Sequence, residues 1–579
     1  MLIELSLNGC RLRLRDMRYA LLIFSCASAL QTIAQPVAAQ TWLVEANQRI
    51  EQYRKADLTV KVVDSLGTAV PGADVHVEMK RHTFGWGTAV TASRINSNSA
   101  NNITYKEKLL ENFNHVVFEN DLKWPQWNGS SWNATQQALN WLDANRLPAR
   151  GHYLSWATED GSANYDGGNN DHSTLETRLY AHITDKMQTV KGRVFEWDVI
   201  NHPVGWTGQT YENDPYVNEG TDIFKQIIDH ARSVAVANPD IPDDLPLWIN
   251  EDDIIRGSGG RANNYERIIQ YLVDNGSPPD GIGFQGHFID AWNGVTTNYQ
   301  GIYNKIDRFA QFGLPLRVTE FDIAVGDDEA LQGTLMNNYL TVIFSHPTIE
   351  AITMWGFWEG SFHMPEAALY RNDWSEKPAL TAYQDLVFND WWTDTEGNSD
   401  ESGEYLVRAF KGEYEITVVY DGVDYVVPVV VNDDMNIDVS LPFSIGLAGD
   451  FNDDGLVDAA DYVVWRKFEG TTTALPNDNG IVGPVGTEHY NLWRANFGNS
   501  ASGLAATAQA GVSPVPEPAS ALLAIWAAAW FASRSSPLIT RQGRKVASAV
   551  HAQHDQKSPS QTDHCRGNHS SVVRECGGQ

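Results

Sequence analysis

Between His82 and about Asp390, short apolar runs alternate with helix-length segments, and polar or aromatic residues gather where each run stops. The runs fall at residues 84–90, 115–119, 149–156, 194–201, 246–250, 281–287, 316–321 and 351–357. Parallel strands cannot be joined by a tight turn, so each needs a long crossover, usually a helix. Eight such repeats in succession predict an α/β fold, a (β/α)8 or TIM barrel over residues 82–390. Such barrels carry their chemistry at the C-terminal ends of the strands, where the polar residues of this chain collect. Among the connections, 263–275 reads as an amphipathic helix with Ile268, Ile269, Leu272 and Val273 apolar.

Two β-rich segments flank the barrel, at 40–81 and 391–442. Leu58-Thr59-Val60-Lys61-Val62-Val63-Asp64 alternates with period two, Gly67 and Pro71-Gly72 supply turns, and Val75 to Met79 reads as a second strand. Beyond the barrel, Gly403 to Val407, Gly412 to Val418 and Tyr425 to Val431 supply further strands. The order resembles the small transthyretin-like domains found beside many secreted enzymes, here split by the barrel. The expectation is one β-sandwich built from 57–81 and 403–442; two independent hairpins packed on the barrel base are the alternative.

Composition limits the partners. The 579 residues carry 42 Lys plus Arg against 73 Asp plus Glu, a net charge of −31 that repels nucleic acid. Residues 1–39 read as a secretory signal peptide: Arg11, Arg13, Arg15 and Arg18 precede an apolar run from Ala20 to Leu30, and small residues Val37-Ala38-Ala39 precede Gln40. A secreted or cell-surface location is expected. The four cysteines, Cys10, Cys26, Cys565 and Cys576, lie only near the ends, which leaves the exported body free of disulfides. After a linker at 499–514, Val515-Pro516-Glu517-Pro518, an apolar stretch and Arg534 resemble a PEP-CTERM sorting signal at 515–534, implying transient membrane sorting. Members of that family stop soon after the basic residue, whereas here a polar tail runs over 535–579.

Residues 450–461 read Asp-Phe-Asn-Asp-Asp-Gly-Leu-Val-Asp-Ala-Ala-Asp. Oxygen-bearing side chains at loop positions one, three, five, nine and twelve, with glycine at six, are the spacing by which a loop wraps a calcium ion. The expected ligands are Asp450, Asn452, Asp454, the Leu456 carbonyl, Asp458 and Asp461. Asp461-Tyr462-Val463-Val464-Trp465-Arg466 is echoed by His489-Tyr490-Asn491-Leu492-Trp493-Arg494, so the unit is duplicated. Residues 447–498 resemble a dockerin, a small α-helical calcium module, and that resemblance implies a cohesin-like protein partner. In the second copy only Asp478 keeps a ligand position, and one calcium site is expected.

Several motifs in the barrel resemble family 10 glycoside hydrolases, the endo-β-1,4-xylanases, over about 82–390. They are Phe118-Glu119-Asn120-Asp121-Leu122-Lys123, Arg150-Gly151-His152-Tyr153-Leu154-Ser155-Trp156, Trp197-Asp198-Val199-Ile200-Asn201-His202, Gly283-Phe284-Gln285-Gly286-His287 and Val318-Thr319-Glu320-Phe321-Asp322, followed by Trp355. The resemblance implies retaining hydrolysis of a polysaccharide, xylan or a related β-glycan, with no cofactor for catalysis. It assigns Glu320 as nucleophile, and Glu119, Asn120, Lys123, His152, Trp156, Asn201, Gln285, His287 and Trp355 as substrate-binding residues.

The departure is His202, which stands where the family has its acid/base glutamate. Ala157 likewise replaces a family histidine. Histidine, which titrates at ~6.5 when unperturbed, can donate a proton, but a cationic acid beside a developing oxocarbenium ion raises the barrier. Glu251 and Glu359 are candidate substitute acids. Three readings stay open: a working xylanase, a carbohydrate-binding pseudoenzyme, and a hydrolase of a different β-glycan.

Overall fold

The computed structural model describes residues 4–7, 10–13, 37–65, 67–127, 129–157, 175–205, 210–213, 220–257, 259–292, 294–442 and 446–500. The expected apolar run of the signal peptide, and everything expected beyond residue 500, lie outside the described residues. Eight parallel strands form the barrel: Gly85–Val90, His115–Phe118, Ala149–His152, Trp197–Asn201, Leu247–Glu251, Gly281–Phe284, Leu316–Ala324 and Ile349–Met354. Each pairs with the next and the eighth pairs with the first, so the sheet closes. Every strand overlaps its predicted run. The third and eighth end early, after His152 and Met354, and Trp156 and Trp355 sit just beyond them. A short strand, His287–Ile289, extends the far end of the seventh.

Tryptophan packs against both faces of the barrel sheet where glycine on the adjacent strand leaves room, Trp248 on the face of Asp198 and Trp197 on the opposite one. A Cβ on Gly151 would lie 2.3 Å from the Trp197 ring, and one on Gly281 2.3 Å from the Trp248 ring. The outer helices bury one stripe each. In Gly260–Asp274 the stripe is Ala262, Tyr265, Ile268, Ile269 and Leu272, whereas Val273 falls beside it and is exposed.

A chain of buried ions threads this apolar interior. Arg150 donates to Glu196 and, at 2.8 Å, to Asp198 Oδ1; Asp198 Oδ2 accepts from His152 Nδ1 at 2.8 Å, and Glu196 also takes Arg317. Burial alone would lower the proton affinity of Arg150, but Asp198 and Glu196 reverse this and raise it.

The segments before and after the barrel pair with one another. Lys55–Val63 lies between Glu404–Phe410 and Met435–Ser440, and Asp74–His82 lies between Asp394–Asn398 and Gly412–Tyr420, which pairs in turn with Val423–Val431. Period-two alternation gives each sheet one buried face, Leu58, Val60 and Val62 on the first and Val75, Val77, Met79 and Ile416 on the second. Residues 40–81 do not begin as strand, however. A helix occupies Val37–Tyr53, because Trp42, Ala46 and Ile50 recur every fourth residue and Ala46 and Ile50 are buried.

Two helices, Ala459–Phe468 and Thr487–Asn496, form a small unit with internal two-fold pseudosymmetry. Trp465 Nε1 donates to the Gly486 carbonyl at 2.9 Å, and Trp493 Nε1 donates to the Asp458 carbonyl at 2.7 Å. Each indole thus ties its own helix to the residue that caps the other.

Arg150→Met is expected to destabilise the barrel by about 3–5 kcal/mol, since it leaves Asp198 and Glu196 buried without their shared cation. Urea unfolding followed by tryptophan fluorescence measures this; a loss under about 1 kcal/mol would show that the ionic chain contributes little.

Candidate active site

The strand ends bring the predicted residues together at one end of the barrel. Glu320, near the end of the seventh strand, is almost wholly buried. Asn250 Nδ2, from the fifth strand, donates to its Oε1 at 2.7 Å, and His287 Nε2 lies 3.3 Å from its Oε2. Behind His287, Nδ1 donates to Asp322 Oδ2 at 2.9 Å.

This arrangement fixes the charge of Glu320. Burial alone would raise its pKa, but the His287 hydrogen bond and the charges of His152, His287 and His202 outweigh burial and lower it to about 2. Burial likewise works against protonation of His287, and Asp322 and Glu320 together push its pKa up to about 10. Near neutral pH the pair is therefore a carboxylate facing an imidazolium. An ionised, aimed carboxylate in a buried site is what nucleophilic attack on an anomeric carbon requires.

Asn250 is the hub that sequence reading left out. Its Oδ1 accepts from Thr319 Oγ1 at 2.6 Å, and its Nδ2 also donates to Asn201 Oδ1 at 3.1 Å. Asp322 and His363 are further omissions. The signal for Asn250 and Asp322 was present, since Asn250 closes the predicted run 246–250 and Asp322 closes the quoted Val318 to Asp322 motif. His363 follows the eighth strand at a distance and carries no such signal.

Beside the carboxylate, an aromatic surface is assembled around Trp355. Its ring meets the edge of His152 at a centroid distance of 5.2 Å, and Lys123 Nζ lies 5.9 Å from its centroid. Glu119 and Asn120 follow the second strand directly and are partly exposed. Trp292 was not foreseen: it is exposed and meets the edge of His287 at 6.1 Å. Flat apolar rings next to polar groups are the surface on which sugar faces stack.

His202 stands at the end of the fourth strand with φ of 52°, in the left-handed region. Its Nδ1 lies 3.0 Å from Glu251 Oε1, and Gln285 Nε2 lies 2.9 Å from its Nε2. With the Gln285 amide oriented to donate there, the ring proton sits on Nδ1 and points at Glu251. Trp156 covers the ring at 4.8 Å. Gln285 thus sits beside both His202 and Asn201, the latter at 3.4 Å.

Glu251 is not an open acid. Oε1 accepts from Asp252 N and Arg261 Nη1, each at 2.9 Å, as well as from His202, and Oε2 accepts from Val204 N at 2.7 Å. Glu359 is committed too, to Lys377 Nζ at 2.7 Å and to Asn372 N at 3.0 Å. Both substitute acids considered from sequence are consumed by contacts within the fold.

For metals, His287, Asp322 and His363 place one ligand atom each within 4.8 Å of one another. The His287–Asp322 hydrogen bond already serves Glu320, so the group reads as part of the carboxylate's support. In the 450–461 loop, Asp450 accepts from Gly455 N at 2.8 Å and Asp454 N at 3.2 Å, and Asp461 accepts from Asp458 N at 2.7 Å and Asn452 N at 3.1 Å. Gly455 takes a φ of +82°, as the tight turn demands.

Comparisons with known proteins agree with this geometry. The sequence profile described as Glycosyl hydrolase family 10 matches residues 76–386, over half of the chain. The anti-sigma-I factor RsgI6 of Acetivibrio thermocellus is 28% identical over 393 residues, covering 67% of this chain and 48% of that protein. Endo-1,4-beta-xylanase 1 of Arabidopsis thaliana is 25% identical over 390 residues, covering 66% and 38%. The chain thus spans less than half the length of either relative. Xylanase 10B from Thermotoga petrophila RKU-1, solved in complex with xylobiose, aligns with a TM-score of 0.45 at 23% identity, over 53% of this chain and 95% of that one. The strand-end carboxylate, its histidine and asparagine partners and the profile match lead to one conclusion: the chain belongs to glycosyl hydrolase family 10.

Proposed function

We propose that this protein is an exported retaining glycoside hydrolase acting on internal β-1,4 linkages of xylan, with Glu320 as nucleophile and His202 as proton donor. The observation that carries the reading is the buried, ionised Glu320 held between Asn250 and His287. Glu320 attacks the anomeric carbon, the C–O bond to the leaving sugar breaks, and the departing oxygen takes a proton; water then cleaves the glycosyl ester. For His202 to give that proton, the leaving oxygen takes the place of Gln285 at Nε2 in the imidazolium form, while Glu251 holds Nδ1 and stabilises the charge. Glu251 is therefore a positioning residue, itself held by Arg261.

A second reading is favoured by one observation: the His202 ring is 5% exposed and both its nitrogens face protein partners. On that reading the cleft binds xylan without turning it over.

The small two-helix unit supports a calcium-binding, dockerin-like role with a cohesin-type partner. Asp450 and Asp461 are buried carboxylates, and no Lys or Arg pairs with either among the described residues. Burial, together with the charge of Asp450, raises the pKa of Asp461 despite hydrogen bonds from backbone N–H groups. Two buried acids in need of positive charge fit a hard cation. When bound, calcium would neutralise them; Asn452, Asp454, Asp458 and the Leu456 carbonyl complete the oxygen set.

Reducing-sugar release from xylan is the first test. Glu320→Gln should lower the rate by at least about 10³-fold, and Glu251→Gln should lower kcat more than it raises KM. His202→Glu should raise kcat by about 10²–10⁴-fold if imidazole is the poorer acid. An inactive parent with an active His202→Glu variant would establish the second reading.

The His287–Asp322 pair predicts a pH dependence. A raised pKa of about 10 contributes stability fully present below the unfolded value of 6.5 and lost as pH rises through about 10. The depressed Glu320, at about 2, contributes stability present above 4.5 and lost as pH falls through about 2. Asp322→Asn should therefore bring the alkaline loss of thermal stability down toward neutral pH and leave the acid limb in place; melting temperatures from pH 2 to 11 measure both.

Calcium should stabilise the full chain, by about 2.7 kcal/mol at a hundredfold excess over Kd, and a chelator should reverse this. An Asp450→Ala variant that responds to calcium like the parent would contradict the site.

A further inference from the structure

At the end of the barrel opposite Glu320, a cavity of about 570 Å³ lies between the strand starts and the flanking β-sheets. Gly85, Arg317 and Ala351 line it from the barrel, and Arg81, Phe410 and Lys411 line it from the sheets. Four cations border it: Arg54, Arg81, Arg317 and Lys411.

Their charges are unequally neutralised. Both acids in the lining pair with arginines, Glu350 with the lining Arg317 at 3.3 Å and Glu413 with Arg146, outside the lining, at 2.8 Å. Arg54 instead donates only to carbonyls, Phe344 O at 2.7 Å, His346 O at 2.5 Å and Ile349 O at 2.7 Å. Arg81 does the same, to Arg146 O at 2.7 Å and to Asn114 O. Lys411 has only an exposed Asp433 at 3.8 Å. Carbonyls satisfy hydrogen bonds but do not cancel charge, so this cavity concentrates positive charge within a strongly acidic chain. Burial lowers the pKa of Arg54 to about 10, opposed by the charge of Glu350.

The rest of the lining mixes polar His82, Thr83, Asn114 and His115 with apolar side chains, four of them phenylalanines. Phe84 and Phe344 each lie 4.8 Å from the Arg54 guanidinium, and Phe195 and Phe410 also face the space. Phosphate or sulfate would satisfy the charge but make no use of the apolar part of the lining. A ligand with one anionic group on a flat or ring-shaped body would meet both surfaces.

We propose that this cavity is a second binding site, for a small carboxylate carried on a ring, either a sugar acid or an aromatic acid. The carboxylate meets Arg81 and Lys411, and the ring lies against Phe195, the lining phenylalanine that is partly exposed. The site is distinct from the substrate cleft, because its barrel residues lie at the N-terminal ends of strands whose C-terminal ends carry Glu320. It stands independently of the proposed hydrolysis.

Isothermal titration of the full chain with glucuronate and with benzoate tests it, with xylose and benzyl alcohol as neutral counterparts and inorganic phosphate as the ringless anion. One saturable site is expected for at least one of the two acids, about tenfold or more tighter than its neutral counterpart and than phosphate. Whichever acid binds tighter identifies the source. Lys411→Gln and Arg81→Gln should each weaken binding about tenfold, and Lys411, one-third exposed, can be replaced without disturbing the core. Hydrolysis, if present in the parent, should be unchanged in Lys411→Gln, which separates this site from the cleft. No saturable binding of either acid, equal binding of the neutral compounds, or undiminished binding in both variants would overturn the proposal.

Discussion

The charge on Glu320 is the constraint around which the far end of the barrel is organised. A buried carboxylate left alone would take up a proton and lose its nucleophilicity. Here it stays ionised because His287 is kept protonated by Asp322, and it stays aimed because Asn250 grips its other oxygen. Each partner comes from a different strand, so the closed sheet itself is the positioning device. A slip of one residue in any of these strands would turn its donor away from the carboxylate. The requirement extends inward, because His152, whose charge also helps hold Glu320 ionised, is fixed by Asp198 and through it by Arg150 and Glu196.

On the proposed reading the proton donor is His202, where the family's motif is expected to carry a glutamate. A glutamate delivers a proton and becomes an anion, whereas a histidine starts as a cation and ends neutral. The structure supplies an anion separately, as Glu251, behind the imidazole ring. Glu251 and His202 together carry the same net charge as a single protonated glutamic acid once the ring is protonated. On the proposed reading this equivalence gives a role to Glu251, a buried, hydrogen-bonded carboxylate held by Arg261 directly behind His202. Trp156 over the ring and Gln285 at Nε2 limit its approach to a substrate, and they define how far a leaving oxygen must displace the protein to receive the proton.

The barrel was legible because period-two and buried-strand runs recur at crossover spacing, and all eight strands overlap their predicted runs. That Glu320, His287 and Asn201 gather in one place was legible through the compact strand-end motifs on which the family resemblance rests. Asn250 was missed because its role depends on three neighbours from two other strands, a relation that only the closed sheet creates. The helix at Val37–Tyr53 was missed because its buried stripe is thin, Ala46 and Ile50, and a strand-rich stretch follows it. The commitment of Glu251 and Glu359 to structural contacts was likewise invisible, since a carboxylate's partners cannot be read from its own sequence position. The basic cavity beneath the barrel belongs to the same class: Arg54, Arg81, Arg317 and Lys411 are far apart in sequence and meet only when the flanking sheets pair.

The central claim, that Glu320 is a nucleophile in a functional cleft, is open to a measurement that does not depend on the proton donor. An aryl 2-deoxy-2-fluoro-β-xylobioside carries a leaving group that needs no acid, while its fluorine slows hydrolysis of any glycosyl ester formed. Intact-protein mass spectrometry after incubation, followed by peptide mapping, should find one fluoroxylobiosyl unit attached to Glu320. An unmodified protein, or an adduct on another residue, would contradict the account.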